Sequence, residues 1–207
     1  MKTSYNQIAG GSVERIAALS DGVFAIAMTL LVLDLRAPAA ETIHGEGDLW
    51  RGLLALSPRL LMWVMSFLTL GIFWVGQQTQ LSHLSRSDRS LSWIHLVFLF
   101  WVSAVPFSTT LLAGFTTYRL ALLAYWFNIV LLGATLYGSW VCALRSGLLK
   151  ADVHEHTGRA IKRRILVAQS MYAFAAALCV VNTYWSLAVM VAVQLHYAIA
   201  PRIFQRR

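Results

Sequence analysis

Apolar and polar residues alternate along this chain in long blocks. Six stretches are predominantly apolar, over 15–35, 53–76, 91–112, 119–144, 161–181 and 184–200, and polar segments separate them. Each is close to the roughly 20 residues that a helix needs to cross a hydrocarbon core. The pattern therefore predicts six membrane-spanning helices in one all-α unit covering 1–207. Pro38 ends the first stretch and Pro201 the last, while Pro106 lies inside the third and should kink it, because the ring removes a donor and crowds the preceding turn. Ser57-Pro58 reads as an N-cap with proline at the first helical position, so 49–56 is either a short interfacial turn or an early start kinked at Pro58. The polar stretch 77–92 reads as a loop.

The first stretch is the most informative. Projected at 100° per residue, Leu19, Val23, Ile26, Leu30 and Leu33 fall on one stripe with Thr29 at its margin. Asp21, Phe24, Met28 and Leu31 fall on the opposite side, which would pack into the protein. A carboxylate beside an apolar run is costly without partners, so Asp21 needs donors, and Trp74, Gln77, Trp93 and His95 are the candidates. The aliphatic stripe by itself fits a helix that faces lipid as well as one that faces a pore. Ala37-Pro38-Ala39 resembles a signal cleavage site, but the run before it is longer than a signal core and carries Asp34 and Arg36, so a retained helix is expected.

Composition supports the membrane reading: of 207 residues 58% are hydrophobic and 13% charged, against about a quarter charged in soluble domains. The net charge of +8 would suit nucleic acid, but thirteen of the seventeen Lys and Arg fall on one side of a six-span topology. The other side holds Arg36, Arg51, Arg59 and Arg119. That asymmetry is a topology signal that places both termini in the cytoplasm, and no nucleic-acid partner is expected. The expected location is the cell (inner) membrane. Cys142 and Cys179 read as separate apolar thiols, and neither zinc spacing nor a phosphate loop nor a nucleophile elbow occurs.

Polar side chains within the spans are few, and Asn128, Asn182, Gln194 and His196 read as helix–helix hydrogen bonds. The acids in the spans, Asp21 and Asp34, lie near helix ends. This argues against a carrier with a mid-membrane acidic relay, against an intramembrane hydrolase and for no enzymatic activity.

The segment with Arg15, Leu19-Ser20-Asp21-Gly22-Val23-Phe24-Ala25-Ile26 and Met28-Thr29-Leu30-Leu31-Val32-Leu33 resembles the first helix of the transmembrane protein 175 family of potassium channels, in its single-repeat prokaryotic form. Phe73-Trp74 resembles an aromatic pair that the family follows with histidine. The stretch 91–112, with Trp93 and Val105-Pro106-Phe107-Ser108-Thr109, resembles its third helix. Leu19, Gln77 and His95 depart from the usual phenylalanine, histidine and asparagine.

The resemblance implies a homotetramer in the lipid bilayer with the first helix lining a central pore. The channel would be non-canonical, a cation channel with no carbonyl filter loop, constricted by aliphatic rings. Ile26 would form the narrowest ring, Leu30 and Leu33 the outer rings, and Thr29 a hydroxyl lining. Potassium would permeate near Ile26 and Thr29 with no fixed metal site and no cofactor. Arg15, Ser20, Asp21, Trp74, Gln77, Trp93 and His95 would form a structural polar network. The competing readings are a small-solute or proton-coupled carrier and an accessory membrane subunit.

Overall fold

The computed structural model describes residues 12–199. Seven α-helices follow one another: α1 (Val13–Leu30), α2 (Glu46–Ala55), α3 (Ser57–Ser82), α4 (Arg89–Gly114), α5 (Arg119–Arg145), α6 (Glu155–Ala177) and α7 (Thr183–Ile199). Short 3-10 turns continue α1 over Leu31–Asp34 and α6 over Leu178–Val180, and a third lies at Ala40–Thr42. Among the described residues, five elements are long and apolar enough to cross a membrane: α1 with its 3-10 extension, α3, α4, α5, and α6 with its extension. At 17 residues, α7 is shorter, and it contains no Lys, Arg, Asp or Glu.

Helix boundaries follow local chemistry. Ser12 caps α1 by accepting from the Arg15 N–H at 3.3 Å, and Asp88 caps α4 by accepting from the Leu91 N–H at 2.8 Å. Asn182 accepts from the Tyr184 N–H at 2.8 Å at the start of α7. It acts there as a turn former and not as an interhelical bridge. The segment before Pro58 is a separate helix, α2, with no buried residue. At Gly52 a Cβ would sit 2.9 Å from Pro38 Cγ, so glycine lets α2 fold back against the loop after α1.

The expected end of the second span near residue 76 is too early. α3 continues to Ser82, because the glutamines that made 77–92 look like a loop find partners on neighbouring helices. Gln77 is buried and donates to Ser20 Oγ at 2.8 Å, and Gln80 accepts from Ser139 Oγ at 2.9 Å. α4 stays helical through Pro106. Asn128 of α5 meets Ser108 Oγ at 3.2 Å. In the amide orientation that satisfies its surroundings, Asn128 also donates to the Trp101 carbonyl and accepts from the Val105 N–H, both at 3.2 Å. That ties the turn before the proline to α5.

α4 and α5 form the most extensive helix pair. α1 packs on α4 and α3, α6 on α5 and α7, and α7 on α3. The core is aliphatic and aromatic, with Leu70, Phe98, Val102, Leu122, Ile129 and Met190 all buried. A polar cluster crosses it. Thr109 donates to Ser66 at 2.7 Å, Thr69 meets the Tyr125 hydroxyl at 3.0 Å, and Gln194 donates to Thr69 at 2.8 Å. These bonds join α3, α4, α5 and α7 where no water can substitute, and each loss would leave a costly orphan. Cys142 and Cys179 are free thiols.

Candidate ion pore and the polar network behind it

The two faces of α1 meet different surroundings. Ser20, Phe24, Ala27 and Leu31 are buried at 2% exposure or less, whereas Ile26, Leu30 and Leu33 are 61%, 44% and 69% exposed. The burial is anchored by rings: Phe24 lies 6.0 Å from Phe98, which lies 6.4 Å from Phe73. Aromatic pairs at such distances add to the area they bury. The stripe runs Ile26, Leu30, Leu33, at steps of four and three. The last step falls where the α-helix tightens to a 3-10 turn over Leu31–Asp34, whose three-residue repeat aligns Leu33 under Leu30. Thr29 is exposed beside them, and its hydroxyl donates to the Ile26 carbonyl at 2.8 Å. The hydroxyl proton is thus committed to the backbone, and the oxygen presents lone pairs outward.

Behind this face lies the network. Ser20 Oγ donates to the Ile16 carbonyl at 2.7 Å and accepts from Gln77 Nε2 at 2.8 Å. Asp21 Oδ1 accepts from Trp74 Nε1 at 2.8 Å and from Gln78 Nε2 at 2.6 Å. Two adjacent α1 residues are therefore held by three residues of α3. Trp74 and Gln78 are four apart and share one side of that helix. Asp21 itself is exposed in its own subunit, not packed inside as its helix face predicts.

Other expected members stand apart. Gln77 serves Ser20 rather than Asp21. Trp93 is 58% exposed, and among the described residues its indole makes no hydrogen bond to Asp21. Arg15 is exposed, and among the described residues its guanidinium has no hydrogen-bond or ion-pair partner. His95 is buried, but its Nδ1 bonds the Leu91 carbonyl of its own helix at 2.9 Å. A carbonyl only accepts, so Nδ1 carries the proton and Nε2 is left an acceptor, without a partner among the described residues. Gln78 was missed because 77–92 read as a loop. Carrying the α3 period one turn past Trp74 would have found it. No group of three or more His, Cys, Asp or Glu among the described residues could hold a metal ion.

The family model described as endosomal/lysosomal potassium channel TMEM175 matches residues 15–106. A potassium channel of Streptomyces collinus is 34% identical over 188 residues, covering 88% of this chain and 90% of that relative. The chain belongs to the TMEM175 family. A second member, a potassium channel of Chamaesiphon minutus, is 31% identical over 191 residues, covering 89% of this chain and 93% of its own. The crystal structure of a lysosomal potassium-selective channel TMEM175 homologue from Chamaesiphon minutus superposes with a TM-score of 0.80 at 28% identity. It covers 92% of this chain and 98% of that chain. This TMEM175-family chain is thus a multi-pass membrane protein of a family of ion channels, not of enzymes. The stretch matched by the family model runs from Arg15 in the first turn of α1 through α2 and α3 to Pro106 in α4, and so includes the stripe and its network.

Proposed function

We propose that this chain forms a potassium-permeable channel, a homotetramer in which α1 from each copy lines a central pore. The observation that carries the reading is the division of α1: an aliphatic stripe left exposed by its own subunit, on a helix whose opposite face is buried and hydrogen-bonded. One helix cannot enclose a pore, so several copies must meet about an axis, and closed cyclic symmetry is the usual solution. The relatives named potassium channels supply the ion.

In this arrangement Ile26 forms the narrowest ring, Leu30 and Leu33 the outer rings, and Thr29 adds a hydroxyl beside them. Aliphatic rings cannot replace a hydration shell, so a tight ring dewets and blocks ions, while a wider one passes the ion that sheds water more cheaply. Potassium holds its water less strongly than sodium, so selectivity is modest and needs neither a carbonyl filter nor a fixed metal site. Asp21 stays out of the ion path, since its Oδ1 is held by Trp74 and Gln78 on the side facing α3. Six crossings, with α7 spanning about 26 Å as the shortest and α2 outside the hydrocarbon, put both termini at the basic, cytoplasmic end.

The test is purified protein in a planar bilayer under a potassium gradient. Discrete current steps reversing near the potassium potential are expected. Saturating flux without unitary steps would replace this reading with a carrier.

A further inference from the structure

A groove of about 580 Å³ runs along the outside of the bundle between α1 and α3, with Arg164 of α6 and Tyr197 and Ala198 of α7 lining one end. That volume lies within the roughly 300–1,000 Å³ of sites that bind small molecules. Its lining is graded. Deep in the span it is apolar, with Met28 of α1 and Phe67 and Leu68 of α3. Gly71 opens its middle, and a Cβ there would meet nothing within 4 Å. Its other end carries the polar groups Asp21, Trp74, Arg164 and Tyr197. All four sit toward the end of the bundle where residues 146–154 join α5 to α6, so the groove has an apolar tail and a charged mouth.

The two charges at the mouth are incompletely used. The Arg164 guanidinium lies 5.9 Å over the Tyr197 ring, and among the described residues no carboxylate reaches it. The ion pairs Arg51–Asp48 and Arg159–Glu155 lie outside the groove lining. Asp21 accepts both of its hydrogen bonds on Oδ1, and Oδ2 has no partner among the described residues. A cation, an anion with a free oxygen and a long apolar cleft call for a ligand with an anionic group, a hydrogen-bond-donating cation and a hydrocarbon chain.

We propose that this groove binds a glycerophospholipid with a primary-amine headgroup, of the phosphoethanolamine type. Its phosphate sits on Arg164, its ammonium faces Asp21 Oδ2, and an acyl chain lies along Gly71 toward Met28 and Phe67. A guanidinium fork matches phosphate oxygens, and basic pockets between membrane helices are established headgroup sites. Trp74 and Tyr197 mark the level at which headgroups lie. A free anion would leave the apolar length of the groove empty. A purely anionic lipid would leave Asp21 facing no cation. A neighbouring copy would have to present both charges at one end of a continuous apolar ridge. The groove lies outside the ion path, so lipid there would brace the cytoplasmic end of α1 against α3.

The test is native mass spectrometry of the purified full chain with dioleoyl phosphatidylethanolamine, phosphatidylcholine or phosphatidylglycerol added singly at equal concentration. Phosphatidylethanolamine should be retained several-fold more than the other two, because the quaternary amine of choline donates no hydrogen bond and glycerol carries no charge. Arg164→Gln should lower its retention about tenfold. Gly71→Leu, which fills open space, should abolish retention while the protein stays folded. Equal retention of the three lipids, or retention untouched by both variants, would mean ordinary annular lipid and overturn the proposal. So would absence of bound lipid together with loss of assembly in Gly71→Leu, which would make the groove a subunit contact.

Discussion

Replacing Ile26 by asparagine separates a pore-facing stripe from a lipid-facing one. Ile26 is 61% exposed in its own subunit. Burying a whole isoleucine is worth about 1.5–3 kcal/mol, so the covered fraction supports roughly 1 kcal/mol of subunit stability at most. Ile26→Asn should therefore fold. In a pore ring it supplies amide oxygens and donors where an ion otherwise meets only methyl groups. If that lowers the crossing barrier by about 1 kcal/mol, unitary conductance rises roughly five-fold. Discrimination between potassium and sodium weakens, because both ions then find partial replacement for lost water. Met28→Asn is the control. Met28 is half-buried and packs against the core that holds Phe24. Losing part of a methionine's burial and placing an amide there costs about 2–4 kcal/mol, a large share of the 5–15 kcal/mol that typically holds a domain together. It should lower folded yield and leave the conductance of surviving channels unchanged. Single-channel recording of both variants in symmetric and bi-ionic potassium and sodium is the assay. An Ile26→Asn channel with wild-type conductance and selectivity would refute the pore assignment of the stripe.

Further outcomes follow from the packing. Ser20→Ala should destabilise the detergent-purified protein by about 1–3 kcal/mol in a thermal unfolding assay, because it strands the buried Gln77 amide; Gln77→Leu, which removes both the donor and an oxygen that is already unpaired, should cost less. Gly133→Ala places a Cβ in the space that the Gln169 amide fills and should eject that side chain from its 3.2 Å bond to the Ile129 carbonyl. The melting temperature should fall, and Gln169→Ala in the same chain should restore most of it. Light scattering in detergent should give the mass of a tetramer, and a conducting monomer would end the channel model above.

Much of the architecture was written in the order of residues. Apolar blocks of about 20 residues span a hydrocarbon medium as helices, since each backbone polar group is then satisfied within its own segment. The period of α1 likewise divided Phe24 and Leu31 from Ile26, Leu30 and Leu33 before any packing was known, because 3.6 residues per turn sets which side chains share a face. The family resemblance over the first half of the chain was carried by local runs, and local runs are what a sequence displays directly.

What required the tertiary structure were partners distant along the chain. Polarity alone could not show that Gln77, Gln78 and Gln80 belong to a helix, since a glutamine is tolerated there only when Ser20, Asp21 or Ser139 comes across from another helix to meet it. The same holds for Thr69, which is unremarkable until Tyr125 and Gln194 converge on it, and for Gly133, whose role appears only when the Gln169 side chain crosses it. Arg15 and Trp93 sit at positions that a motif groups with Asp21, yet within the subunit both are exposed and the bonds to its carboxylate come from Trp74 and Gln78. Periodicity assigns a residue to a face of its helix, but which neighbour that face meets is set by how the helices pack, and packing depends on the whole chain at once.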